Sequence, residues 1–522
     1  MGEVKTTGVE SYNAVTLFVD RHEREGRGDK VAIYFEDQQI TYREVREKVN
    51  QTGNALKELG IGLEDRVLLL LLDCPEFAYS FFGAMKIGAV PIPTNTILKP
   101  ADYQYLLNDS RAKAIVVSEE LLGDILEIRS NLKFLRHIIV VGKSQQECIS
   151  FDDFISGKST QLEAEETSKD DPAFWLYSSG TTGFPKGTVH LHHDMAYAAE
   201  HYAKGVLKIN ENDRTFSVAR LFFAYGLGNG LYFSFYVGAA TILSANRPTP
   251  VNVYEVIDKY KPTLFFGVPT SYTAMLQIEG AKEKYDLSSI RHCASAGEAL
   301  PRIIFERWRD TYNIEILDGI GSTEILHIYI SNMPGQVKGG STGKTVPGYE
   351  AKIVDVEGNV QPVNEVGTLQ VRGDSTAAYY WNKHEKTKES FKGDWFNTGD
   401  QYYQDEEGYF WYVGRGDDMI KAGGIWVSPI EVENSLLEHP SVLETGVIGS
   451  GDEDGLIKPK AFIVLKEGYD PTPELAKELS QFVKSKIAPY KFPRWIQFVP
   501  ELPKTATGKI QRFKLRQLED VG

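Results

Sequence analysis

The sequence predicts an α/β protein: a large N-terminal domain of parallel-sheet α/β subdomains plus a β-rich subdomain, and a small α+β C-terminal domain. Three observations predict it. Short apolar runs alternate with helical patterns through about the first four hundred residues, the pattern of strands joined by crossover helices. Beyond about residue 340, glycine and proline punctuate shorter runs, as in GSTGKTVPGYEAKIV and EVGTLQVRG, which suggests β-rich structure. The charged turn Gly414-Arg415-Gly416-Asp417-Asp418 is followed by about one hundred residues with their own helix, strand and helix pattern, a candidate mobile lid. We therefore expect domains at 1–416 and 417–522, with a chain of 522 residues exceeding one ordinary core.

The strands are expected in order at Val67–Leu72, Ala114–Val117, Ile138–Val141, Phe174–Leu176 and Leu264–Phe266. Each is too short to be anything but a strand or a buried turn of helix, and continuous apolarity favours parallel strands covered on both faces. Val67–Leu72 is the longest strongly apolar run and falls far short of the roughly 20 residues that span a bilayer. Directly behind Phe174–Leu176 lies YSSGTTGFPKG, residues 177–187, with three glycines, five hydroxyl residues and one lysine. Such a loop can cradle phosphates, because glycine lets the backbone approach a polyanion while hydroxyls and an ammonium donate to it. It is not a Walker A loop, since Pro185 precedes the lysine and Gly187 follows it.

Composition is that of a globular enzyme: 42% hydrophobic and 25% charged, with mean hydropathy −0.29. With 57 basic against 72 acidic residues the formal charge is −15, which disfavours nucleic acid and anionic membrane as partners. Polyanionic ligands must then be held by local donors. Cys74, Cys148 and Cys293 lack metal-site or redox spacing and are expected to be reduced thiols in a cytoplasmic protein, while MGEVKTTGVE lacks the layout of a secretory signal. His190, His192, His193 and Asp194 resemble a metal cluster in isolation, but they follow the phosphate loop and are read as helix-start and packing residues.

Four further strings follow the phosphate loop: SAGEALP at 295–301, DGIGSTE at 318–324, WFNTGD at 395–400, and GRGDD at 414–418 with Lys421. A last one, PKTATGK, occupies 503–509. With these in order, the chain resembles the adenylate-forming superfamily of acyl-CoA synthetases, luciferases and nonribosomal adenylation domains, over essentially its whole length. The resemblance implies a two-step reaction, in which a carboxylate and ATP form an acyl-AMP and a thiol then takes the acyl group.

It also implies roles for particular residues. Ser178, Ser179, Gly180, Thr181, Thr182, Gly183 and Lys186 would hold the β- and γ-phosphates. Glu324 would bind Mg²⁺, Thr323 would contact the α-phosphate, and Ala296, Gly297, Glu298, Asp318 and Gly319 would line the nucleotide pocket. Asp400 and Arg415 would meet the ribose hydroxyls, and Lys509 would bridge the two anions of the adenylation step. Asp417 would be the hinge, with Asp418 as competing assignment, and lid rotation would bring Lys421, Gly423 and Gly424 to a pantetheine tunnel for coenzyme A.

Phe223, Ala224, Tyr225, Gly321, His327 and Ile328 would frame a small flat slot for the acid. Many relatives carry histidine where this chain has Phe223, and its loss makes that wall apolar. Together with LYFSFYVGAATIL and EILHIYISN, this makes the chain look most like the benzoate–CoA ligases of aromatic catabolism. Alternatives are a ligase for a substituted benzoate or cyclic aliphatic acid, an aryl-acid adenylation enzyme serving a carrier protein, an ADP-releasing kinase, and a non-catalytic nucleotide sensor. The expected partners are a small aromatic carboxylate, ATP and coenzyme A, in a monomer or homodimer.

Overall fold

The computed structural model of the chain describes residues 11–519, apart from 145–146, 181–182, 417, 423–424, 453–456, 489–490 and 506–508. A five-stranded parallel sheet runs Val90–Pro93, Arg66–Leu70, Ala114–Ser118, His137–Val141, Ile149–Ser150. From Val67 to Leu70 the strand is apolar throughout because both of its faces are covered. Val67 and Leu69 enter the main core, while Leu68 and Leu70 pack with Tyr103, Leu106 and Leu107 of the helix Pro100–Ser110.

A second, nine-stranded sheet has six parallel strands at its centre: Ile316–Gly321, His292–Ser295, Leu264–Gly267, Arg214–Ser217, Ala240–Leu243 and Val31–Phe35. Antiparallel strands close both edges. The same two-sided logic holds: Phe265, Cys293 and Ile316 face one core, and Phe266, Ala294 and Leu317 face the other. Prolines open the helices that follow several strands, at Pro75, Pro100, Pro250 and Pro269. At the first helical turn the missing N–H has no partner to lose, and the fixed φ suits the helix. The helix Tyr42–Glu58 starts at a capping box between Thr41 and Glu44 and buries Val45, Val49, Thr52 and Leu56 along one stripe.

One expectation needs correction. Phe174–Leu176 is a strand but not a parallel one. It belongs to Pro172–Gly180, which forms an antiparallel hairpin with Gly183–Leu191, extended by Tyr379–Tyr380. The candidate phosphate loop is thus the tip of a hairpin, and its apolar stem is buried because Phe174 and Trp175 pack to opposite sides, into separate clusters.

The β-rich part is a five-stranded antiparallel sheet including Glu350–Val354, Gly367–Arg372, Trp395–Gln404 and Phe410–Arg415. The C-terminal domain has its own sheet, Val442–Gly451, Ile457–Leu465 and Trp495–Phe498, and its own core around Val432, Leu436, Val447, Ile463, Leu479 and Val483. Cys74 and Cys293 are buried thiols. Among the described residues no helix is long and apolar enough to cross a membrane.

Candidate active site

The strand Ile316–Gly321 ends in a single 3₁₀ turn, Thr323–Ile325, capped by the Ser322 hydroxyl, which accepts from the Ile325 N–H at 3.2 Å. Leu326, the residue after the turn, has φ +71°, a costly conformation for a non-glycine residue that persists only where the surroundings enforce it. Here they do. The Ala377 N–H donates to the Glu324 carbonyl at 2.7 Å, and the Nε2 of buried His190 lies 2.7 Å from the Thr323 carbonyl. A carbonyl only accepts, so Nε2 carries the proton toward Thr323, while Nδ1 meets the buried Asp194 carboxylate at 2.7 Å. His190 therefore lies in a strand and anchors the turn, which corrects its reading as a helix-start residue; Asp194 does begin a helix.

The Glu324 side chain is 8% exposed. Its Oε1 accepts from the Tyr380 hydroxyl at 2.7 Å and from Ser178 Oγ at 3.4 Å. The Lys186 ammonium sits over the Tyr380 ring, 4.5 Å from its centroid. Burial pushes the Lys186 amine down, and Glu324 opposes that shift. The hairpin tip is held from the side by Tyr105, which stacks on Phe184 at 4.6 Å and donates to the Pro185 carbonyl at 3.1 Å. Gly180 and Gly183 pair across the hairpin. Thr181, Thr182, Asp417, Gly423 and Gly424 lie outside the described residues, as do the side chains of Ser179 and Lys421.

Asp400 and Arg415 are direct cross-strand partners, their side chains joined at 2.9 Å, with the Arg415 guanidinium also donating to the Thr398 carbonyl at 3.0 Å. Burial raises the Asp400 carboxyl and Arg415 pulls it back. Ala296 is buried and Gly297 turns with φ +95°, which releases the chain before Glu298. Glu298 Oε1 is buried without a partner, and burial raises its carboxyl to about 7 despite the nearby charges of Lys509 and Lys504. Asp318, in the strand that leads to Gly319 and Gly321, is buried, which pushes its carboxyl well above the usual range.

Lys509 comes from the C-terminal domain. It is exposed, its backbone N–H donates to Thr505 Oγ1 at 3.1 Å, and its charge acts on both Glu298 and Asp400. The C-terminal domain thus brings the Lys509 charge within electrostatic reach of both carboxylates. Asp418 is tied within that domain to Arg516 at 2.7 Å and to Arg512 at 3.7 Å.

The expected acid wall at Phe223, Ala224 and Tyr225 falls at the start of the short helix Ala224–Leu227, with Phe223 at its N-cap. Gly226 is obligatory there, since a Cβ would come within 2.0 Å of the Arg220 carbonyl oxygen. The Tyr225 hydroxyl donates to the Gly267 carbonyl at 3.2 Å, and its ring lies 5.6 Å from that of His327. His327 is enclosed by Tyr202, Tyr225 and Phe233 with ring separations of 5.3, 5.6 and 4.4 Å. Burial drives its imidazole down to about 3, so the ring is neutral, and its Nδ1 has no partner. Gly321 backs onto His327, where a Cβ would lie 2.7 Å from the His327 carbonyl oxygen, and Gly319 backs onto Ile328, whose Cγ2 would lie 3.0 Å away. Phe223 and Ala224 continue the wall, half-buried, with Phe223 packed on Phe222 at 4.3 Å. Tyr380, His190 and Tyr105 escaped sequence reasoning as site residues, because no local spacing links position 380 or 190 to 324.

The chain belongs to the AMP-binding enzyme family: that family matches residues 20–381, and the AMP-binding enzyme C-terminal domain matches 431–509. It is 49% identical over 510 residues to a benzoate–CoA ligase of Thauera aromatica, covering 97% of this chain and 96% of that protein. It is 42% identical over 508 residues to a 4-hydroxybenzoate–CoA/benzoate–CoA ligase of Rhodopseudomonas palustris, covering 97% and 94%. Among solved structures, an anthranilate CoA ligase in complex with anthranoyl-AMP superimposes with TM-score 0.95 at 46% identity, covering 98% of both chains. A benzoate CoA ligase from Burkholderia xenovorans superimposes with TM-score 0.90 at 44% identity, covering 97% of this chain and all of that one.

Proposed function

We propose that the chain is an AMP-forming acid–thiol ligase that joins benzoate to coenzyme A through benzoyl-AMP, releasing pyrophosphate and then AMP. The observation that carries this reading is that His327 and Ile328 of the expected acid slot lie on the same short stretch of chain as Thr323 and Glu324, with the Tyr225 ring packed 5.6 Å from that of His327. An acid held in that slot has its carboxylate beside the candidate nucleotide groups. The neutral His327 adds a flat wall and no charge, which suits an aryl ring better than a second anion. Full-length identity to ligases named for benzoate and hydroxybenzoate supports the acid class.

In the first step a benzoate oxygen attacks the α-phosphorus of ATP and pyrophosphate leaves. Two anions must meet, and the Lys509 ammonium would bridge them. Lys186, Ser178, Ser179, Thr181 and Thr182 would hold the leaving phosphates, Thr323 the α-phosphate, Asp400 and Arg415 the ribose, and Ala296, Gly297 and Glu298 the adenine side. In the second step the thiolate of coenzyme A attacks the acyl carbon and AMP leaves, with Lys421, Gly423 and Gly424 serving after rotation about Asp417.

Glu324 fits Mg²⁺: its described hydrogen bonds both go to Oε1, and no described ion pair reaches it, leaving Oε2 as a hard oxygen donor beside a phosphate-type loop. The bound cation would neutralise phosphate charge.

A second reading, 2-aminobenzoate as the acid, is favoured by one feature, the partnerless His327 Nδ1 at the slot wall, and by the match to an anthranilate CoA ligase. One experiment separates them. Pyrophosphate release is measured with benzoate, 2-aminobenzoate, 4-hydroxybenzoate, cyclohexanecarboxylate and a long-chain fatty acid, with and without coenzyme A. Benzoate should lead the panel, and a preference for the fatty acid would defeat the slot outright.

A further inference from the structure

We infer that Tyr380 is a positioning residue that holds Glu324 and Lys186 apart and aims both at the nucleotide phosphates, an inference that rests on the ATP-dependent reading above. Its backbone is built into the phosphate hairpin: Tyr380 is in register with Thr188, and the next residue, Trp381, donates its N–H to the Gly187 carbonyl at 2.8 Å. The side chain is 2% exposed, so its direction is set by packing. From that fixed base the hydroxyl reaches Glu324 Oε1 at 2.7 Å, and the ring face lies 4.5 Å from the Lys186 ammonium.

The physical need for such a spacer is plain. An ammonium and a carboxylate in one partly buried site attract each other strongly, and a direct pair would cancel both charges before any phosphate or cation arrived. Among the described ion pairs none joins Lys186 to Glu324, although the Glu324 charge opposes the fall in Lys186 basicity. The aromatic face satisfies the ammonium without neutralising it, since the attraction to a ring quadrupole is modest at an accessible site. The hydroxyl, by donating to Oε1 together with Ser178, fixes the carboxylate rotamer and leaves Oε2 as the oxygen available to a hard cation. One side chain therefore serves two charges of opposite sign by its two different parts, ring and hydroxyl.

Those two parts can be removed separately. Tyr380→Phe keeps the ring and loses the hydroxyl; Tyr380→Leu loses both. Binding of ATP is measured by isothermal titration calorimetry across a Mg²⁺ series, with no acid present, so the result does not depend on which carboxylate the enzyme accepts. For Tyr380→Phe we expect the half-saturating Mg²⁺ concentration to rise roughly tenfold, the typical effect of losing one hydrogen bond to a charged group, with ATP affinity in EDTA within about twofold of the unaltered protein. For Tyr380→Leu the affinity in EDTA should fall as well, because Lys186 then collapses onto Glu324. An unchanged Mg²⁺ series in the Phe variant overturns the hydroxyl role. Equal losses with and without Mg²⁺ in that variant, whose thermal unfolding reports any general damage, overturn the division of labour. Failure to turn over benzoate, by contrast, would strike the substrate reading alone.

Discussion

Lys509 and Glu298 face each other electrostatically across two domains, and each yields a test. Replacing Lys509 by alanine removes a preorganised donor worth about 3 to 4 kcal/mol, so adenylation should fall at least about a hundredfold. Chemically prepared benzoyl-AMP with coenzyme A should still give thioester at close to the normal rate, and parallel loss of both half-reactions would show that the lysine is structural. Glu298 is raised to about 7 by burial, against an ordinary value of 4.5. A carboxyl raised on folding means the native state holds the proton more tightly, so its contribution is full below about 4.5 and is lost as pH climbs through 7. At ~1.4 kcal/mol per unit the loss is about 3 kcal/mol, with the opposing charge of Lys509 already included. Unfolding free energies compared between the unaltered protein and Glu298→Gln should converge on the acid side and diverge as pH rises to 7, in favour of the glutamine; parallel curves would place the carboxylate in contact with water.

At the scale of elements, the turn Thr323–Ile325 is too short to hold its own shape. It is fastened by the hairpin strand Gly183–Leu191 through His190, which relays from Asp194 to the Thr323 carbonyl. Phenylalanine at 190 would keep the stack on Phe174 at 5.2 Å but leave a buried carboxylate and a carbonyl short of a donor. Each keeps a backbone donor, the Leu191 N–H on Asp194 at 3.1 Å and the Leu326 N–H on the Thr323 carbonyl at 3.2 Å, and loses one hydrogen bond worth about 0.5 to 1.5 kcal/mol at the carbonyl and about 1.5 to 3 kcal/mol at the carboxylate. Denaturant unfolding of His190→Phe should show a loss of about 2 to 5 kcal/mol, and pyrophosphate release should suffer more than thioester formation from benzoyl-AMP. Unaltered stability would mean that a water or a shifted neighbour replaces the imidazole.

At the scale of the whole molecule, the C-terminal domain keeps a core of its own, apart from the cores that cover the two large sheets. In the C-terminal domain the buried Arg512 forks onto Glu433 at 2.7 and 2.9 Å and reaches toward Asp418, so the helix Arg512–Glu519 is tied to the start of the domain. Removing one partner of a buried pair costs about 3 to 5 kcal/mol because the other charge is stranded. Arg512→Leu should therefore split calorimetric unfolding into an early transition from the C-terminal domain and a late one at the original temperature. A single transition shifted as a unit would show that the two domains unfold cooperatively.

Much of the architecture was legible in the sequence because the physics that makes it is local or periodic. Apolar runs such as 67–70 and 264–267 declare strands covered on both faces, helix-opening prolines declare boundaries, and the ordered motifs from residue 177 to 509 declare the nucleotide chemistry they resemble. The same runs could not declare direction. Phe174–Leu176 reads like its parallel neighbours, yet it pairs antiparallel with Gly183–Leu191, the strand that follows it directly in the chain. Nor could spacing reveal Tyr380 above Lys186, His190 beneath Thr323, or the aromatic cage that renders His327 neutral. Those facts depend on which side chains meet after distant strands have paired. Charge, burial and hydrogen-bond partners belong to the assembled neighbourhood, so a residue's chemical type was determined by the chain while its working state was decided only by the tertiary fold.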